Sequence, residues 1–134
     1  MKKLSEYMED YYEFSGKASE ASRNLAFAGI ALIWIFKVEA PSIPHIPDRL
    51  VLPAALLAIA LACDLLQYVS ATAIWGCFQW YHERRIGNTS RDPELDAPAF
   101  LKWPQFIFFV FKLMCVLLAY LLITAYIWSI WLQK

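Results

Sequence analysis

Asp64 is the residue whose position most invites a chemical reading. It lies inside a long apolar run, where a charged side chain on a membrane helix costs roughly 2.5–3.5 kcal/mol on insertion scales. Ala60, Gln67 and Ala71 share its face at helical spacing, so a narrow stripe of small and polar residues runs along this segment. Two readings of the stripe stay open. It lines a conduit or an interface between subunits, or it is one protonated aspartate hydrogen-bonded inside a packed bundle.

Lys112 is the formal charge in the last apolar run, and a salt bridge to Asp64 is the obvious idea. Depth argues against it. Lys112 lies about nine residues, roughly 13 Å, from the boundary marked by Trp103, whereas Asp64 lies about sixteen residues, roughly 24 Å, from Trp80. Side chains also lean toward a helix's N-terminus, which sends the two groups apart. Lys112 is therefore expected to snorkel as an interfacial cation.

Little else has the spacing of a reactive site. His45 and His82 stand without ligand-spaced partners, so no metal is expected. Cys63, Cys77 and Cys115 are odd in number and fall in apolar blocks, where they read as buried thiols. No phosphate-cradling glycine loop, nucleophile elbow or paired carboxylate is present, so neither catalytic residues nor a cofactor is expected and an enzyme is not the reading. A net charge of zero, from twelve basic and twelve acidic residues, argues against a nucleic-acid partner.

The elements that must position Asp64 and Lys112 are hydrophobic helices. Sixty per cent of the 134 residues are hydrophobic and 18% charged, and the apolar ones are gathered in blocks too long for a soluble core of this size. A span needs about 20 apolar residues. Residues 50–78 and 104–132 meet that length. The block 25–38 is short, and the alanines and serines before it extend a first span to 18–38, with a buried or re-entrant segment as the alternative. The predicted fold is an all-α integral membrane protein, one domain over 1–134, with three transmembrane helices and a short N-terminal amphipathic helix at 4–14.

The connections are punctuated. Pro41, Pro44 and Pro47 recur every third residue between the first two spans, as in an extended polyproline II segment. Residues 81–102 read as a cytoplasmic loop broken by Gly87, Pro93 and Pro98. On the N-terminal helix, Leu4, Tyr7, Met8, Tyr11 and Tyr12 share one face and acidic residues fill much of the rest. An acidic helix suits docking against protein better than anionic lipid, which makes Tyr7, Tyr11 and Tyr12 candidate partner-docking residues; a solvated helix fits as well.

Orientation follows from lysines and arginines beside the spans. Lys2, Lys3, Lys17, Arg23, Arg84, Arg85, Arg91 and Lys102 fall on one side and Lys37, Arg49 and Lys134 on the other, eight against three. This places the N-terminus and second loop in the cytoplasm and the C-terminus outside. The triplet Asn88-Thr89-Ser90 matches a glycosylation site but would be inert on that side.

The run from Ser22 through Asn24, Gly29 and Trp34 to Lys37 resembles the first span of small bacterial membrane proteins, some of which look like membrane effectors of anti-phage defence systems. The resemblance implies an inner-membrane protein that depolarises or permeabilises the membrane when a cytoplasmic sensor partner releases it, acting by assembly without catalytic residues. Three helices enclose no pore alone, so that reading requires a homo-oligomer in membrane lipid. The competing expectation is a non-catalytic accessory or anchoring subunit, in which Asp64 only fastens helices together.

Overall fold

The computed structural model describes the backbone of residues 4–38, 45–86 and 102–133, and the side chains among them other than those of 4–8, 82 and 86. Among the described residues the fold has three long helices: α1 (Leu4–Ile35), α2 (Asp48–Ile86) and α3 (Trp103–Leu132). Cross-helix contacts fix their directions. Residues 48–52 of α2 lie beside 122–129 of α3, and 67–75 beside 102–109, so α2 and α3 run antiparallel. Tyr120 Oη donates to the Leu25 carbonyl at 2.8 Å and Phe36 meets Tyr126 edge-on, so α1 runs parallel to α3.

Each helix buries residues spaced alternately by three and four. These are Ser19, Ser22, Ala26, Gly29 and Ile33 on α1; Leu50, Pro53, Leu57, Ala60 and Asp64 on α2; and Lys112, Val116, Ala119 and Ile123 on α3. That spacing is the seam of a coiled coil, where side chains of one helix fill holes on the next. The seam is rich in small and polar residues, which let backbones approach closely. Gly29 is the tightest point: a Cβ there would lie 2.7 Å from Cδ1 of the fully buried Leu57.

The large apolar side chains face outward instead. Leu65, Leu117 and Leu121 are 65%, 61% and 68% exposed, and many similar residues on all three helices join them. A water-soluble monomer seldom exposes an apolar surface so continuous. The helices α2 and α3 are each long and apolar enough to cross a membrane. α1 is not among them, since Glu20, Arg23 and Asn24 interrupt its apolar half.

Several boundaries differ from those the sequence predicts. The segments expected as an amphipathic helix at 4–14 and a first span at 18–38 form one unbroken α1, because Gly16 sits in helical conformation and Lys17 bridges back to Glu13 at 2.6 Å across the expected gap. A mid-helix glycine costs only about 1 kcal/mol and does not end a helix. α1 stops at Ile35, short of the expected 38, where Val38 pairs with His45 in an isolated antiparallel bridge. α2 begins at Asp48 and continues past Phe78 to Ile86, so the first residues of the expected loop are helical. Gln79 donates to Glu83 at 2.9 Å, Arg84 stacks on Trp80 at 4.2 Å, and Arg84 and Arg85 suit the negative end of the helix dipole. The polyproline repeat at Pro41 and Pro44 lies outside the described residues, as does the triplet 88–90.

Candidate functional site: a buried ion cluster

The shared seam brings Asp64, Lys112 and Arg23 together from three helices. Lys112 Nζ donates to Asp64 Oδ1 and, at 2.6 Å, to Ser19 Oγ. Its side chain is wholly buried, and the Phe109 ring lies 5.8 Å from the ammonium. Two hydrogen bonds and the negative face of a ring thus compensate the charge's lost hydration. Arg23 Nε donates to Asp64 Oδ2 at 2.7 Å, while its Nη2 donates to Tyr68 Oη at 3.0 Å. Both carboxylate oxygens are therefore occupied by cations of the same chain.

The cluster holds two cations and one anion, so one positive charge is left uncompensated within it. Arg23, with its side chain 38% exposed, is the member that reaches outward. The expected separation of Lys112 from Asp64 is overturned. Trp80 and Trp103 do not mark one level, because the ion pair sets a different register. Nine residues before Lys112 lies Trp103, and nine after Asp64 lies residue 73, each about 13 Å away along its helix. Trp103 is thus level with residue 73, and α2 overhangs the start of α3 by about 20 Å. Lys112 does not snorkel: its wholly buried ammonium turns to Asp64 and Ser19.

No family model, curated protein or solved structure matches this chain. The cluster must therefore be read from its own geometry.

The stripe Ala60, Asp64, Gln67 and Ala71 continues the seam of α2. Ala60 and Asp64 are buried, and Gln67 and Ala71 half-buried. Asp64 faces α1 and α3 of its own bundle. Beyond the cluster the seam opens into a cavity of about 430 Å³, lined by residues of all three helices. Gln67 Oε1 and Gln105 Nε2 are buried without hydrogen-bond partners, and both residues line this cavity. Tyr11 and Tyr12 line it too, half-exposed and edge-on to each other at 5.7 Å, while the Tyr7 side chain lies outside the described residues.

Cys63 and Cys115 are buried as expected, but Cys77 is exposed, because the overhang of α2 carries it past the start of α3. Among the described residues no group of three or more His, Cys, Asp or Glu side chains could hold a metal. Sequence reasoning missed Ser19, Tyr68 and Gln105 and treated Arg23 only as a flanking charge. The alternation of Ser19, Ser22, Ala26, Gly29 and Ile33 was the signal that could have found the α1 contribution.

Proposed function

We propose that this chain is a three-span membrane protein acting as a non-catalytic accessory or anchoring subunit, with the Arg23–Asp64–Lys112 cluster as its internal brace. The observation that carries this reading is the saturation of Asp64. Both its oxygens are bound by cations of its own helices, inside a bundle whose outer surface is apolar. In hydrocarbon such a cluster resists helix separation strongly, because parting the helices strands charges.

α1 serves as the third span in this reading, with Arg23 hydrogen-bonded to Asp64 and Tyr68 and able to snorkel. α2, at 39 residues, is about 58 Å long, well beyond the roughly 30 Å of hydrocarbon. Its overhang, beside the acidic start of α1, forms the aqueous part that holds a larger protein partner. The lysine and arginine bias supports a bacterial inner-membrane placement with the N-terminus in the cytoplasm.

A depolarising oligomer lined by Asp64 would need that side chain to turn from Arg23 and Lys112 toward neighbouring copies. Membrane potential, read with a voltage-sensitive dye after expressing the chain alone, separates the two. The accessory reading expects no depolarisation, and lower abundance for Asp64→Leu. Depolarisation that disappears in Asp64→Asn at unchanged abundance would overturn it in favour of the effector.

A further inference from the structure

The cavity beyond the ion cluster has the polar complement of an anion site. Its walls offer mainly donors. The Ser19 hydroxyl accepts from Lys112 and the Tyr68 hydroxyl accepts from Arg23, so each keeps its own hydrogen to give. Gln105 Nε2 is buried with no acceptor, and Lys102 brings a cation to the same wall.

Lys102 also occupies the N-cap of α3, where no side chain caps the helix. The positive dipole end of a 30-residue helix and its first-turn N–H groups, apart from Pro104, which has none, therefore lie at the cavity edge. Behind them the cluster adds its uncompensated positive charge. Among the described residues lining the cavity none is acidic. One group asks for the opposite: Gln67 Oε1 is buried without a donor.

We propose that this cavity binds a phosphodiester that also carries a hydroxyl or amine, as the headgroup of a phospholipid presents it. The phosphate oxygens take the donors of Lys102, Gln105, Ser19 and Tyr68, and the hydroxyl or amine donates to Gln67. Phe106 and Phe109 give the wall an apolar portion for the glycerol backbone. The site lies at the first turns of α3, which is headgroup depth in the topology proposed above. The lipid source rests on that membrane reading; the anion chemistry does not.

The test uses the full chain in detergent. Short-chain phosphatidylglycerol, short-chain phosphatidylcholine and glycerophosphoglycerol are titrated separately, with binding read by native mass spectrometry and thermal unfolding. Phosphatidylglycerol is expected to bind at least about tenfold more tightly than phosphatidylcholine, whose headgroup has no hydrogen to donate and no net negative charge. Gln67→Leu is expected to remove the headgroup hydroxyl's share of that preference, and Gln105→Leu with Lys102→Ala to weaken both lipids by about tenfold. Lys102→Ala alone, at an exposed position, carries the test if the double variant does not fold.

Glycerophosphoglycerol binding as tightly as the lipid would keep the chemistry and assign a soluble phosphodiester as its source. Equal binding of both lipids by the parent chain and the variants, or no binding of any probe, overturns the proposal. Extraction of the protein from membranes by alkaline carbonate alone would sink the membrane reading separately, leaving the soluble-ester arm intact.

Discussion

Lys112 of α3 lies wholly buried against Asp64 of α2, and the same carboxylate takes Arg23 of α1 on its other oxygen. Three helices are thus held through one acidic side chain. The three members differ in what their removal leaves behind. Losing Asp64 strands a buried ammonium. Losing Lys112 leaves the carboxylate still bound by Arg23.

The expected order of destabilisation is therefore Asp64→Leu, then Lys112→Met, then Arg23→Gln. Breaking a buried pair typically costs about 3–5 kcal/mol, and Asp64→Leu is expected to reach that range. Unfolding in mixed micelles, monitored by circular dichroism, checks the order. Asp64→Leu combined with Lys112→Met should recover much of the loss, since no buried ammonium then remains. Additive losses in the double variant would mean that the two residues act independently.

Gly29 and Gly76 predict opposite responses to one methyl group. At Gly29 the new Cβ meets Leu57 at 2.7 Å and 3.4 Å and Tyr120 at 3.5 Å. Leu57 is itself fully buried and has little room to yield, so Gly29→Ala is expected to destabilise by about 1–3 kcal/mol. At Gly76 nothing lies within 4 Å, and alanine is better by about 0.5–1 kcal/mol within a helix. The same unfolding assay should therefore move in opposite directions for the two variants.

Much of this packing was legible in the residues. The apolar blocks announced α2 and α3, and the Ala60–Asp64–Gln67–Ala71 stripe marked the face that α2 turns inward. Relative depth was not legible. The pairing of Lys112 depends on how far α2 slides along α3, and tryptophans at helix ends do not fix that offset when one helix overhangs the other. The gap expected at 15–17 is helical as well, because local bonds such as Lys17 to Glu13 carry α1 through Gly16.

Tyr120 Oη supplies the hydrogen bond that joins α3 to the backbone of α1, at the Leu25 carbonyl. Tyr120→Phe removes the hydroxyl and keeps the ring. The carbonyl remains within the hydrogen-bonded ladder of α1, so the loss is expected to be small, about 0.6 kcal/mol by comparison with membrane helix pairs. A much larger loss in the unfolding assay would mean that the hydroxyl has a further partner.

The three cysteines give the proposed topology a direct readout. Cys63 and Cys115 are buried in the seam, whereas Cys77 is exposed on the overhang of α2, about 6 Å past the level of Trp103. A membrane-impermeant maleimide should therefore label only Cys77 in the native protein. Labelling should occur in inverted vesicles and not in intact spheroplasts, because the basic-residue bias puts this end in the cytoplasm. Cys77→Ser should abolish the signal until denaturant exposes the other two thiols. Labelling in spheroplasts would reverse the orientation while leaving the bundle intact. Native labelling of Cys63 or Cys115 would contradict the seam itself, because both thiols lie beside the ion cluster that closes it.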